Sequence, residues 1–423
     1  MKSKCKELFF TKRYRYKKYS ALMIAGVLFV TFCISFTGCE KEKEKIELLV
    51  WTSSEEVNCV QEAVDAFAKE YSDQYDLQIK VQAQDVSSAK KLVVNNKDIA
   101  ADVYNFADDQ FFDLQNAKAL LPIGSEADKI ADACGGKDSK IIQSVSEGND
   151  IYGYPFTSGN GYFLYYNNSY LSENDVLRIE DILEITAAKN KKFGMDLCSG
   201  WYMYSFFGAA GMSVHTNEDG TKNVCDFNRT EGKYTGVDVT EKIIEIATHA
   251  GFQNIVKDRA EEMIMSGDII AIVSGSWYYE LICNAWGKEN VSASKLPTYN
   301  LNGDDVQMSS FSGYRYYGVN SSTKYPEIAK ELCEYITSKE QQEIRFDEIE
   351  EAPANVELLN SEKVSKFPTV QALVEQNQYA IVQNVLESYW RPMEVFGAYI
   401  ASGNKDNMDL QELLDITVVA ITQ

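Results

Sequence analysis

The chain has 423 residues, 45% of them hydrophobic, and a formal charge of −22. That balance excludes a nucleic-acid binder, whose phosphate partners need a basic footprint. It also excludes broad adhesion to anionic lipid.

The chain opens on a basic region, Lys2 to Lys18, followed by the apolar run Ala21–Phe36 and then Thr37-Gly38-Cys39. This is the layout of a secretory leader, with small residues before the cut. The run is short for a membrane span, which needs about 20 apolar residues. The expectation is a signal peptide over 1–39 with Cys39 as the lipid-bearing first mature residue; the alternative is an uncleaved anchor helix. Residues 40–45 alternate charge and read as a solvated tether. Removing 1–39 leaves 33 Lys+Arg against 62 Asp+Glu, a formal charge of −29. The remaining length suits two domains. Cys59, Cys134, Cys198, Cys225, Cys283 and Cys333 are scattered, with no CxxC pair, and read as free, mostly buried thiols.

Ile46–Trp51 is a near-continuous apolar run, as in a buried parallel strand. Ser53-Ser54-Glu55-Glu56 then caps a helix whose apolar residues run from Val57 to Tyr71. Leu77, Ile79 and Val81 alternate as a strand, Lys90–Asn95 is a weaker helix, and Val103–Phe106 is a strand ending at Ala107-Asp108-Asp109. Helix and strand at this spacing predict βαβ units and a parallel sheet. Ligands of such sheets sit beyond the carboxyl ends of the strands, where Ser54, Glu55, Asp108 and Asp109 fall.

In Ile151–Asn168, Tyr152, Tyr154 and Phe156 alternate as on a strand. Thr157-Ser158-Gly159-Asn160-Gly161 has turn chemistry, and Tyr162–Tyr166 begins a second strand. From these residues alone the stretch is either a hairpin or a passage from one domain to another. Further on, the pattern predicts helices over Ser172–Ala188, from Ser199 through Phe207, over Val239–Ala250 and over Lys257–Met265. Asn217-Glu218-Asp219-Gly220 reads as a turn. Ile269–Val273 reads as a buried strand and Ser294–Tyr299 as a connector. Gly313–Val319 is expected as a strand, Pro326–Glu343 as a helix, Ala352–Asn355 as a break and Ala380–Ala401 as a helix.

Catalytic signatures are scarce. Of the two histidines, His249 lies among apolar helical residues and reads as structural. No GxSxG, HExxH or P-loop motif appears. Asp108-Asp109 could serve a glycosidase as a carboxylate pair, or simply cap a helix. Aromatics are the stronger signal, with 26 Tyr, 20 Phe and 5 Trp. Trp201, Trp277 and Trp390 stand beside small or polar residues at element edges. They are either core residues or platforms for the apolar faces of sugar rings.

Four stretches carry a family resemblance: Ala101–Gln110 with Leu120–Ile123; Tyr152–Phe156 with Asn160–Tyr166; Ala271–Trp277 with Leu296-Pro297; and Phe311–Tyr314 with Gly318–Asn320 and Thr323-Lys324. In this order they resemble the solute-binding lipoproteins of ABC importers, and within them the maltose/maltodextrin-binding group. The resemblance implies an α/β, two-lobed, periplasmic-binding-protein-like fold of type II with a ligand cleft at a hinge. It implies crossings at Phe156–Gly161, Leu296–Tyr299 and Glu350–Asn355. The lobes would be 46–157 plus 299–350 and 158–298 plus 351–423. Matched motif by motif, Asp109 corresponds to a carboxylate for sugar hydroxyls and Phe106 to a cleft aromatic. Ser54 and Glu55 match the polar loop after the first strand, with Asp108 beside Asp109. Trp201, Tyr202, Trp277 and Trp390 match stacking positions, and Asn160 lies near a polar contact. Gln110 stands where some members have Arg. The implied protein is not an enzyme, uses no cofactor or metal, and works as a monomer on the outer face of the cell membrane. It would hand malto-oligosaccharide or a related sugar to an ABC permease. The alternatives are the same scaffold with another oligosaccharide, and a secreted glycoside hydrolase using Asp108 or Asp109.

Overall fold

The computed structural model describes residues 43–217, 220–256 and 259–423. The leader, Cys39 and the start of the tether lie outside the described residues, as do Glu218, Asp219, Lys257 and Asp258. By internal contacts the chain divides into Met1–Lys45 with Tyr71–Asp76, and Ile46–Glu70 with Leu77–Gln423. In the first unit a 3₁₀ turn, Tyr71–Asp73, is closed by the Gln74 N–H donating to the Tyr71 carbonyl at 2.9 Å. The second unit holds the core and the cleft. No helix among the described residues is long and apolar enough to cross a membrane.

A six-stranded sheet is built from β1 (Glu44–Thr52), β2 (Tyr75–Ala83), β3 (Val103–Ala107), β4 (Tyr154–Gly161), and two strands from much later in the chain. A five-stranded sheet follows from β5 (Phe163–Asn167), β6 (Lys192–Met195), β7 (Phe252–Asn254), β8 (Ile269–Ser274) and β9 (Val291–Ser294), in the order β7-β6-β8-β5-β9. A hairpin, β10 (Thr298–Leu301) with β11 (Asp304–Gln307), leads back to the first sheet through β12 (Ser310–Val319) and then β13 (Ala380–Val382). The first sheet has the order β13-β12-β3-β1-β2, with β4 also on β12. Val50 pairs in parallel with Val103, as the apolar runs predicted, while β12 runs antiparallel to β3.

The passage 151–168 is not a hairpin. β4 pairs with β12 of one sheet, and β5 with β8 and β9 of the other. The chain therefore changes sheets at Tyr162. The expected turn Thr157–Gly161 is instead the second half of β4. Its glycines serve close approach rather than reversal. A Cβ on Gly161 would meet Leu373 at 2.7 Å, and one on Gly159 would meet the Ala352 backbone nitrogen at 3.3 Å. Beside it, Thr157 Oγ1 donates to the Ala352 carbonyl at 2.6 Å and Ser158 Oγ to the Pro353 carbonyl at 2.9 Å, tying β4 to the break at 352–355.

Other expectations move. Ser172 does not cap a helix; its N–H and hydroxyl close a turn on Asp175, and the helix begins at Ile179. The helix expected from Val239 starts three residues earlier, where Thr235 and Asp238 cap each other's backbone. The helix expected from Lys257 is described over Ala260–Met265. Pro326–Glu343 is two helices, Pro326–Ile336 and Lys339–Ile349, the second capped by Ser338. Tyr299 and Leu301 pack in the cluster of Tyr162, Phe206 and Met308, and Tyr299 donates to the Phe206 carbonyl at 2.8 Å. The return to the first sheet thus follows the β10–β11 hairpin rather than lying at Leu296–Tyr299. Ala380–Ala401 is not one helix: β13 occupies its start, and the helix proper is Trp390–Ala401. The six cysteines among the described residues are unpaired.

Candidate functional site

A cleft of about 600 Å³ opens where strands of both sheets end. Its size is that of a small-molecule site. From the first sheet come Ser53, Ser54 and Glu55 after β1, Asp109 and Gln110 after β3, Asn160 in β4 and Arg315 in β12. Trp201 reaches it from the start of the helix Gly200–Ala209 after β6, Trp277 from the turn after β8, and Trp390 from the first residue of its helix. This is the strand-end position that open α/β sheets offer to ligands.

Trp201 and Trp390 are backed by tyrosine rings, and Trp277 pairs with Trp201. Tyr162 packs edge-on against Trp201 at 4.8 Å, and its hydroxyl donates to the Trp201 carbonyl at 2.8 Å. Trp201 and Trp277 lie 5.5 Å apart, inclined at 35°. Tyr389 meets Trp390 at 4.9 Å, and its hydroxyl donates to the Gly200 carbonyl at 2.7 Å. One tyrosine bond thus ties together the helix starts that carry Trp201 and Trp390.

Beneath the first-sheet side runs a buried charged network. Arg315 Nη1 lies 2.9 Å from Glu56 Oε1 and 3.9 Å from Glu55, and Nη2 contacts Glu351. Thr52 donates to Glu56 at 2.7 Å and Tyr317 donates to it at 3.1 Å. Burial alone would raise the Glu56 carboxyl, but the Arg315 and Arg345 guanidiniums and these hydroxyls outweigh it and hold it below the usual range. Phe156 lies under both guanidiniums, at 5.3 and 4.5 Å.

Asp109 presents its carboxylate to the cleft. Burial pushes it up to about 6, against the opposing pull of the Gln383 amide and the Lys90 charge. Lys90 itself donates to Asp113 at 2.7 Å and to Glu387 at 3.2 Å, and Lys91 reaches Glu387 at 3.1 Å. The helix bearing these lysines, Val86–Asn95, packs on β3, whereas Glu387 precedes Trp390 against the C-terminal helices. The ion pairs therefore bridge the two walls of the cleft.

Ser54, Glu55, Asp109, Asn160, Trp201, Trp277 and Trp390 are brought to this one cleft. Phe106 is not on its wall. Its ring is fully buried, stacked on Tyr316 at 5.4 Å, because the middle of a central strand faces the core. Asp108 is not on the cleft wall; its carboxyl is buried beside Gly313, and burial followed by the Asp109 charge pushes it well above the usual range. Tyr202 lines a smaller adjoining cavity with Trp201 and Trp277. The cleft also holds Gln383, Lys90, Phe112 and Arg315, which the sequence reading did not single out. Only Arg315 left a signal, a lone charge in the tyrosine run Tyr314–Tyr317. His249 accepts from the Gly251 N–H at 3.1 Å and is structural.

Comparison with known proteins accords with this geometry. A family model described as bacterial extracellular solute-binding protein matches residues 62–372. The galactooligosaccharide-binding protein of Bacillus subtilis (strain 168) is 26% identical over 415 residues, 92% of this chain and 94% of the relative. A solved protein with acarbose is 26% identical and aligns with a TM-score of 0.78 over 89% of this chain and 99% of its own. The maltodextrin-binding protein MalE1 from L. casei BL23, solved without ligand, shares the fold at 23% identity, with a TM-score of 0.72 over 90% and 99% of the two chains. The α/β architecture, with one sheet on each side of the cleft, is the two-lobed fold of those structures. This chain belongs to the bacterial extracellular solute-binding protein family.

Proposed function

We propose that this protein is a non-catalytic receptor that captures maltose or malto-oligosaccharides outside the cell and delivers them to an ABC importer. The observation that carries this reading is the cleft of about 600 Å³ in which Trp201, Trp277 and Trp390 stand with Asp109, Asn160 and Gln383. Pyranose rings have apolar C–H faces, which suit indoles, and hydroxyl rims, which suit carboxylates and amides. Relatives that bind maltodextrins and galactooligosaccharides support the sugar class. A galactooligosaccharide is the second reading, favoured by the 26% identity to the Bacillus protein over nearly both full chains. Hydrolysis is disfavoured because Asp108 is turned into the protein, so the Asp108–Asp109 pair does not jointly face one glycosidic bond.

In this reading the lobes are 46–157 plus 310–350 and 158–309 plus 351–423, apart from β13 in the first sheet; the boundary expected at 299 moves past the β10–β11 hairpin because Tyr299 and Leu301 pack with the second sheet. Cys39 carries the lipid that holds the protein at the membrane. The protein works as a monomer and takes no cofactor or metal.

Calorimetric titration of the soluble domain with maltotriose and with galactotriose tests the sugar. Micromolar or tighter binding of maltotriose, with galactotriose weaker, is expected. The reverse order establishes the second reading, and no binding of either sinks the sugar assignment. Incubation with the bound sugar should leave it intact.

A further inference from the structure

Behind the cleft wall, Asp108 is a buried carboxyl that the cleft itself leaves unused. It opens the turn Asp108–Gln110 and is 7% exposed, while its neighbour Asp109 lines the cleft. Both its oxygens are buried without a hydrogen-bond partner of good geometry among the described residues. Its place is made by a glycine. A Cβ on Gly313 would lie 2.6 and 3.1 Å from the two Asp108 oxygens and 3.1 Å from the Asn160 amide nitrogen, so the carboxyl and the amide border one gap. Asn160 is a cleft residue and faces Gly313 across the β4–β12 ladder. Two residues on, Arg315 faces Thr157, so β4 carries one residue more than β12 over this span. Such a bulge interrupts the ladder and re-aims the side chains beside it. The Asp108 carboxyl thus stands against the irregular stretch that aims Asn160 into the cleft.

Among the described residues no cation pairs with it. From its own turn it faces Asp109, another acid. From β12 it faces the Tyr314 and Tyr316 phenols, each pushed up by burial and then by the Asp108 charge. From β4 it faces the uncharged Asn160 amide. Arg315 stands between those tyrosines in β12, so its side chain takes the other face of the sheet, where it pairs with Glu56 and Glu351. A buried carboxylate with no cation takes up a proton rather than stay charged. The Lys90 charge and the Gln383 amide favour ionisation of Asp109, whereas backbone N–H groups are what favour it at Asp108. Asp109 therefore ionises first, and its charge holds the second proton on Asp108.

We propose that Asp108 is a positioning residue for the cleft, bracing the turn that carries Asp109 and the strand that carries Asn160 from behind, as a neutral hydrogen-bonding group. This rests on the sugar reading above. A protonated carboxyl has an O–H to donate as well as an oxygen to accept, which matches the acceptor and donor of an amide bordering the same gap. The turn then offers the ligand one carboxylate rather than two. A negative charge on Asp108 would stand next to Asp109 and against the bulge, and would loosen both supports.

The test combines charge state, affinity and melting on the soluble domain. Carbon-13 NMR of the aspartate carboxyls, with Asp108→Asn to assign the signal, should find Asp108 protonated at about pH 7.5 without ligand. Calorimetry with maltotriose, or with galactotriose if that binds tighter, should show Asp108→Leu, which keeps the bulk and loses the hydrogen bonds, weaker by roughly tenfold. Asp108→Asn, which restores a neutral hydrogen-bonding end, should recover most of that loss. The folded carboxyl stands above its ordinary 3.8, so its contribution to stability is present below 3.8 and is lost as pH rises through the folded value. Wild-type melting temperature and affinity should therefore both fall on the alkaline side, and Asp108→Asn should not follow. Melting without ligand verifies that each variant is folded, with Asp108→Ala in place of Asp108→Leu if that one is not. A carboxyl already ionised at about pH 7.5, Asp108→Leu binding as wild type does, Asp108→Asn as weak as Asp108→Leu, or an alkaline fall that persists in Asp108→Asn overturns the proposal. Failure of the sugar reading looks different: wild type then binds neither sugar, while the ligand-free carboxyl is still protonated.

Discussion

At the scale of single residues, Asp109 and Asp108 share a loop and have opposite fates. Burial raises the Asp109 carboxyl to about 6 against the opposing pull of Gln383 and Lys90, whereas for Asp108 burial and the Asp109 charge both push upward, to well above the usual range. The folded Asp109 value lies above its ordinary 3.8, so folding favours the protonated form. Its contribution to stability is therefore fully present below 3.8 and is lost as pH rises through about 6. Relative to Asp109→Asn, wild type should lose thermal stability between pH 4 and 7, and parallel melting curves across that range would refute the assignment. Binding runs the other way. The ionised carboxylate is the better acceptor for sugar hydroxyls, so wild-type affinity should fall as pH drops below about 6 while Asp109→Asn stays flat. A charged hydrogen bond is worth about 1.5–3 kcal/mol, so the loss on substitution at pH 7.5 should be roughly ten- to a hundredfold in calorimetry.

At the scale of elements, Arg315 joins three segments far apart in sequence: β12, the loop after β1 through Glu56, and the break at Glu351. Removing one member of a buried ionic network leaves the others desolvated and unpaired, which costs about 3–5 kcal/mol. Arg315→Met should lower the melting temperature by several degrees and disorder the Ser53–Glu56 loop, weakening sugar binding as a consequence. Arg345 also faces Glu351, at 3.9 Å, and Phe156, and it acts on Glu56 through its charge rather than by the direct contact that Arg315 makes. A melting temperature unchanged from wild type would show that the network is not structural. The cap of the helix Gly236–Thr248 makes a control remote from the cleft. Thr235→Ala should cost about 1 kcal/mol in denaturant unfolding and leave affinity unchanged.

At the scale of the whole molecule, the Lys90 and Lys91 pairs to Glu387 cross the cleft, and Phe112 packs over Gly220 beside them. The lysines and Glu387 are the side chains that a hinge would part on opening. Partly exposed pairs contribute about 0.2–1 kcal/mol each. Glu387→Gln should therefore weaken sugar binding by roughly two- to tenfold, chiefly through faster release. It should also enlarge the ligand-free radius in small-angle scattering, and an unchanged radius and release rate would remove these pairs from closure. Anchoring is tested separately. Cys39→Ala should abolish incorporation of labelled fatty acid and processing to mature size, and a variant still labelled and processed would rule out lipidation at Cys39.

What could be read from the chain alone was whatever depends on local pattern. The apolar run Ile46–Trp51, the helical spacing from Val57 and the strand Val103–Phe106 are encoded in burial along a few consecutive residues, and each formed where expected. Trp201, Trp277 and Trp390 were legible as large rings at element edges, and the cleft gathers all three. The rest needed partners distant in sequence. Thr157–Gly161 has turn composition yet is a strand, because β12 pairs with it from about 150 residues away and Ala352 and Leu373 need the space its glycines leave. Ala380–Val382 sits in a helical pattern yet pairs with Ser310–Ser312. Phe106 matched a cleft aromatic only through the family resemblance, and a central strand buries both its faces. Periodicity reports which side of an element is apolar; only the assembled sheets decide what that side meets, and so the tertiary structure alone placed Arg315, Gln383 and Lys90 in the cleft.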